Sequence, residues 1–165
     1  MRYDSIQDGR WGRRGFTLIE VVTMVLVLAI AVPPTLEILM SNSASRANVI
    51  NTARATMLAS NVLEGILADV SSADGSLGFD ALADSNAYLS TPGTGFYSRM
   101  SSGVQSYLAL GMDYTVNIGV LVGADGAVSL ESAENVFRTV TVSVSYPSAD
   151  GAAYTLPVSL MVSTL

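Results

Sequence analysis

The chain has 165 residues, with eight Lys plus Arg, fourteen Asp plus Glu and a net charge of −6, which is room for one domain of ordinary size. All eight cations are Arg, and Cys, His and Lys are absent; this excludes disulfides and thiolate chemistry, a Ser-His-Asp triad, and Schiff-base or P-loop lysines. An acidic body also argues against a nucleic-acid binder, which needs a basic face, so the composition leaves a structural or binding protein, or an enzyme that works with carboxylates.

Residues 1–15 are polar and hold Arg2, Arg10, Arg13 and Arg14, half of all the arginines. At Phe16 the character changes. Phe16–Val32 is apolar apart from Thr17, Thr23 and Glu20. As a helix it would span ~25 Å, just under a ~30 Å hydrocarbon core, and Leu36–Met40 could lengthen it, interrupted by Glu37. Arg13 and Arg14 before the span place its N-terminal side in the cytoplasm. A secretory signal peptide fits poorly. Ala29-Ile-Ala31 could pass as its cut site, but Pro33 and Pro34 follow at once, and a disposable segment has no reason to carry Glu20. A carboxylate within an apolar span costs about 2.5–3.5 kcal/mol on insertion scales and calls for a partner.

Arg13-Arg14-Gly15-Phe16-Thr17-Leu18-Ile19-Glu20-Val21 resembles the processing site of type IV prepilins and type II secretion pseudopilins: a basic leader ending in Gly, then Phe-Thr-Leu-Ile-Glu and an apolar helix. The resemblance covers residues 10 to 40. It implies that a membrane prepilin peptidase cuts between Gly15 and Phe16, that the new Phe16 amine is methylated, and that Glu20 pairs with the Phe16 amine of a neighbouring subunit. It further implies a leader over 1–15, a membrane and assembly helix over 16–34, a periplasmic half-helix over 35–70, a variable loop over 71–111 and an antiparallel sheet over 112–165. The fold class expected is therefore α+β, a long N-terminal helix packed on a β-meander. The implied partners are other pilin or pseudopilin subunits, the prepilin peptidase, an inner-membrane assembly platform and lipid. The implied location is the bacterial inner membrane with a periplasmic C-terminal domain, then a pilus or pseudopilus.

Pro33-Pro34 predicts a bend or an unwound stretch near Ala29–Pro34, because each proline removes a helix hydrogen bond and crowds the carbonyl four residues back. The alternative is two helices, the second opening on proline. From Thr35 to Val70 the chain again reads as helix, with Ala55, Leu58, Ala59, Val62, Leu63, Ile66 and Val70 on one stripe and Arg54, Asn61, Glu64 and Ala68 on the other side. The more polar stretch Ser41–Asn51 suggests that the first part projects and the later part packs. Ser71–Gly111 is rich in Gly and Ser and reads as a long loop with one short helix near Phe79–Tyr88. Its aromatics Phe79, Tyr88, Phe96, Tyr97 and Tyr107 are expected to pin it to the sheet.

The C-terminal third reads as β. Met112, Tyr114, Val116, Ile118, Val120 and Val122 alternate on one face. Ala127–Leu130 could form a short return strand. Val136, Arg138, Val140, Val142, Val144 and Tyr146 alternate again, and Tyr154, Leu156, Val158, Leu160 and Val162 form the last run. Pro157 marks that last strand as an edge. The apolar sheet face needs cover, which the Ala55–Val70 stripe can supply.

Asp69, Asp74, Asp80, Asp84, Asp125 and Asp150 read as turn-forming aspartates rather than a calcium loop, whose spacing they do not match. No cofactor and no enzymatic activity are expected. The first function expected is a minor pilin or pseudopilin serving protein secretion or pilus assembly. The absence of Cys departs from the many major pilins that close a loop with a disulfide. Ala53–Leu67 is similar to the corresponding helix of minor pseudopilins and minor pilins. The alternatives are a surface adhesin on the same anchor, separated by what the 71–111 segment contacts, and a DNA-uptake pilin, which the acidic body weakens.

Overall fold

A computed structural model describes residues 16–72, 74 and 76–163. Its elements run α1 (Leu18–Val70), a 3₁₀ turn (Asp80–Ala83), α2 (Ser85–Ser90), α3 (Phe96–Leu108), β1 (Asp113–Val122), a second 3₁₀ turn (Ser132–Glu134), β2 (Phe137–Pro147) and β3 (Ala153–Ser163). The layout is α+β. The chain divides into two units, Met1–Asn42 and Ser43–Leu165.

The described part of the first unit is the N-terminal portion of α1. Every side chain from Phe16 to Asn42 is exposed. By length and composition this helix could cross a membrane. Its two threonines beyond the first turn satisfy their own hydroxyls: Thr23 Oγ1 donates to Ile19 O at 2.6 Å, and Thr35 Oγ1 to Val32 O at 2.7 Å. Such internal bonds are what a hydrocarbon environment requires. The helix runs through both Pro33 and Pro34, which corrects the expected unwound stretch and the alternative of two helices. Only two ladder bonds are lost, those to Ala29 O and Ile30 O. Regular turns on both sides propagate the helix across so short a gap.

The second unit holds the core. Ala55, Leu58, Ala59, Val62 and Ile66 of α1 are buried together with Tyr114 and Val116 of β1 and Val140, Val142 and Val144 of β2. Leu63 and Val70 pack partly buried at the margin, whereas Arg54, Asn61, Glu64 and Ala68 are exposed as the stripe predicted. The sheet is antiparallel in the order β1-β2-β3. Its register places Val116 opposite Val142 and Val142 opposite Val158, so one row of apolar side chains meets the helix. Pro157 lies on the edge strand β3, opposite Ser143, where a missing N–H does no damage.

Four expectations fail in this unit. The polar start of the helix does not simply project. Asn48 Oδ1 accepts the Ala149 N–H at 2.8 Å, Asn51 Nδ2 donates to Pro147 O at 2.8 Å, and Thr52 Oγ1 shares a hydrogen with the Tyr146 hydroxyl at 3.2 Å. These polar residues hold the β2–β3 turn. Residues 71–111 are not a long loop either, since the first 3₁₀ turn, α2 and α3 together take up more than half of them. Asp84 caps α2 by accepting the Ala87 N–H at 3.0 Å, and Phe96, Met100 and Val104 repeat every fourth residue, a helical period. Ala127–Leu130 forms no strand among the described residues. Finally, a bulge between Ile118 and Leu121 interrupts the β1 register, which leaves Val120 two-thirds exposed instead of facing the helix. The expected aromatic pinning is present: Tyr88 and Phe96 are buried, and Phe79, Tyr97 and Tyr107 pack against the core.

Candidate functional site

Of the residues singled out in the sequence, Arg13, Arg14 and Gly15 lie outside the described residues. Phe16 and Thr17 precede α1, and Glu20 sits in its first turn. Thr17 occupies the N-cap position. Its Oγ1 accepts the Glu20 N–H at a long 3.4 Å, and its carbonyl accepts the same N–H at 3.0 Å. Thr17-Leu-Ile-Glu20 has the Thr-x-x-Glu sequence of a capping box, of which the Thr17 half is formed and the return bond from Glu20 is not, among the described residues. A carboxylate there also meets the positive end of the helix dipole. Among the described residues the Glu20 carboxylate has no hydrogen-bond partner, and it shares an open groove along the helix with Thr23, Met24, Val27 and Leu28. An apolar helix with one exposed, unpaired acid in its first turn can bind a second apolar surface that brings a cation.

The second unit holds a polar constellation that the sequence reading did not assemble. Asp69 continues the buried stripe of α1 and is itself buried. Arg99 grips its carboxylate with both ends of the guanidinium, Nη1 to Oδ1 at 2.7 Å and Nη2 to Oδ2 at 2.6 Å, and donates from Nε to Thr94 O at 2.9 Å. The Tyr88 hydroxyl donates to Asp69 Oδ2 at 2.6 Å. The Arg99 guanidinium also lies over the Tyr88 and Phe96 rings, 6.0 and 5.7 Å from their centroids. Burial, then the hydrogen bond to Asp69, pushes the Tyr88 ionisation well above the ordinary tyrosine range. The Asp69 hydrogen bond likewise raises that of Arg99. The signal was present in the sequence: position 69 lies three residues beyond Ile66 on the same face, so its acid had to be buried and paired.

This network floors a cleft of about 670 Å³ lined among others by Asp74, Asp80, Asp84, Thr91 and Thr94. Two of its acids are committed locally. Asp84 caps α2, and Asp74 accepts the Ser76 N–H and hydroxyl, which holds its carboxyl below the ordinary range. Asp125 accepts the Ala127 N–H, and Asp150 accepts the Ala152 N–H and the Ser148 hydroxyl; these bonds, the Ser148 one first, lower the Asp150 pKa. Among the described residues no three acids are grouped to hold a metal ion. The network is satisfied within itself: the Asp69 carboxylate, spanned by Arg99 and Tyr88, is closed to an outside ligand.

Compared with protein-family models, with curated proteins and with solved structures, the chain gives no match.

Proposed function

We propose that the chain is a pilin-like subunit, minor rather than major, which is cut between Gly15 and Phe16 by a prepilin peptidase, methylated at Phe16, and assembled through its N-terminal helix into a type II secretion pseudopilus or a type IV pilus. It has no enzymatic role in this reading. The observation that carries the proposal is Glu20, the one acid in the apolar run Phe16–Val32, four residues after the Phe16 that follows Arg13-Arg14-Gly15. An ammonium at Phe16 of one copy and a carboxylate at Glu20 of the next, each costly alone in lipid, become tolerable as a hydrogen-bonded pair. The α+β second unit supports the reading, because a helix packed on an antiparallel meander is the layout the resemblance implies. Arg13 and Arg14 keep the leader on the cytoplasmic side, where the peptidase acts, and leave the second unit on the periplasmic side. The peptidase, an inner-membrane platform and lipid are the partners.

Two variants test this. Gly15→Asp should accumulate as an uncut precursor of higher mass. Glu20→Leu should be cut and inserted but should not sediment with filaments sheared from cells. Normal processing of the first variant refutes the cleavage, and normal assembly of the second refutes the charge pair.

A further inference from the structure

Two exposed surfaces of the second unit are complementary and neither is used by the core. The first is the outer face of α1. Arg46, Val49, Ile50, Arg54 and Met57 fall at spacings of three and four, so they line one side of the helix. All five are exposed, Val49 by 69% and Met57 by 62%. This side lies opposite Ala55, Leu58 and Val62, which face the core. It is an apolar strip that carries two cations.

The second surface is the connection between β1 and β2. It is built to hold a shape. Asn135 brackets Ser129, accepting its N–H at 2.8 Å and donating to its carbonyl at 2.9 Å. Glu134 accepts the Ser129 hydroxyl at 2.6 Å. The bracket presents Leu130 fully exposed, at 104%. Beside it Val128, Val136 and Phe137 line a hollow of about 530 Å³. The connection carries Asp125, Glu131 and Glu134 and no Arg. The nearest cation in sequence, Arg138, is turned over the Phe79 ring and donates to Gly119 O at 3.1 Å.

We infer that these two surfaces bind each other between copies of this chain: the Leu130 knob of one copy seats on the Val49–Ile50–Met57 strip of another, with Glu131 and Glu134 facing Arg46 and Arg54. Charge chooses the pairing. Loop against loop would oppose three acids with three acids, and strip against strip would oppose arginines, both of which are repulsive. Only loop against strip matches sign as well as polarity. Such a contact is heterologous, with different patches on the two partners, so it propagates into chains of subunits rather than closing a dimer. It uses neither Phe16 nor Glu20 and so stands apart from the N-terminal charge pair.

The absence of native cysteine makes the test clean. Full-length chain carrying Leu130→Cys with Ile50→Cys is oxidised in cell membranes and run on a non-reducing gel. The expected result is a ladder of dimers, trimers and higher species. Each single-cysteine variant should stop at dimer and give about tenfold less of it. Adding Arg54→Glu should reduce the ladder about fivefold, and Glu131→Arg in the same chain should restore it. No ladder, a dimer equally abundant with Leu130→Cys alone, or no rescue by the charge swap overturns the inference. Repeating the experiment with Glu20→Leu separates the two contacts: a ladder that persists there shows the loop contact forming without the N-terminal pair, and a ladder lost there refutes its independence.

Discussion

Replacing Arg99 by Met would strip the Asp69 carboxylate of two of its three hydrogen bonds while leaving it buried. The two oxygens are held at 2.6–2.7 Å by Arg99 and Tyr88, and the Asp69 side chain is 10% exposed against 33% for Arg99. Orphaning one member of a fully buried pair costs about 3–5 kcal/mol. Because a third of the Arg99 side chain already meets water, solvent can enter where it leaves, and the expected loss falls to about 2–3 kcal/mol. Met keeps an apolar stem of similar length, so the loss reports mainly on the carboxylate. Asp69→Asn leaves the arginine able to reach solvent and should lose about 1–2 kcal/mol. The double variant Asp69→Leu with Arg99→Met removes both charges and should lose less than Asp69→Leu and Arg99→Met lose singly when added, with a coupling of about 1–3 kcal/mol. The assay is urea unfolding of the full chain in detergent, followed by near-ultraviolet circular dichroism of the tyrosines. A loss below about 1 kcal/mol for Arg99→Met, or strict additivity in the cycle, would refute the view that this pair locks the end of α1 to α3.

Three further outcomes are expected. Gly95→Ala should destabilise the fold by about 1–3 kcal/mol in the same assay, because an added Cβ would sit 2.6 Å from Thr91 N and 2.7 Å from Thr91 O, both backbone atoms that cannot move aside. Leu58→Ala should lose about 2–5 kcal/mol, since Leu58 is fully buried between helix and sheet and the space cannot collapse from either side. Alkaline unfolding should set in early: burial, then the nearby Tyr97 and Asp113, push Tyr114 up from 10.0 to about 12, and Tyr88 is raised further in the same direction. A raised folded-state pKa means the stabilisation is whole below pH 10 and lost as pH climbs through about 12. Thermal midpoints should therefore fall over that window and fall less in Tyr114→Phe.

How far the sequence could be read depended on which force set each element. The Ala55–Ile66 stripe and the β2 and β3 alternations were legible because burial repeats with the period of the backbone. The edge position of β3 was legible because proline lacks a ladder donor. Residues 71–111 were misread because their Gly and Ser content weighed more than the Phe96–Met100–Val104 period. The Val120 exposure was hidden because a bulge changes parity without leaving any mark except Gly119. Asn48 and Asn51 read as surface residues; their partners are backbone groups a hundred positions away, which no local pattern can announce. Asp69 and Arg99 are each visible in the sequence, but their pairing depends on α3, a helix that the Gly and Ser content of its segment conceals. At the N-terminus, Glu20 stands out as a charge, while its place at the third position after a Thr17 cap depends on where the helix starts, which an unbroken apolar run does not mark.

That cap bears on the order of events in the molecule's life. Thr17 and Glu20 both lie after the Gly15–Phe16 bond, so the hydrogen bond that starts α1 is made wholly by residues that a cut at that bond would retain. Release of residues 1–15 would remove a net positive charge and create a new amine one residue ahead of the cap, yet would leave the helix its own starting signal. Processing would then alter how the chain meets its neighbours without asking it to refold.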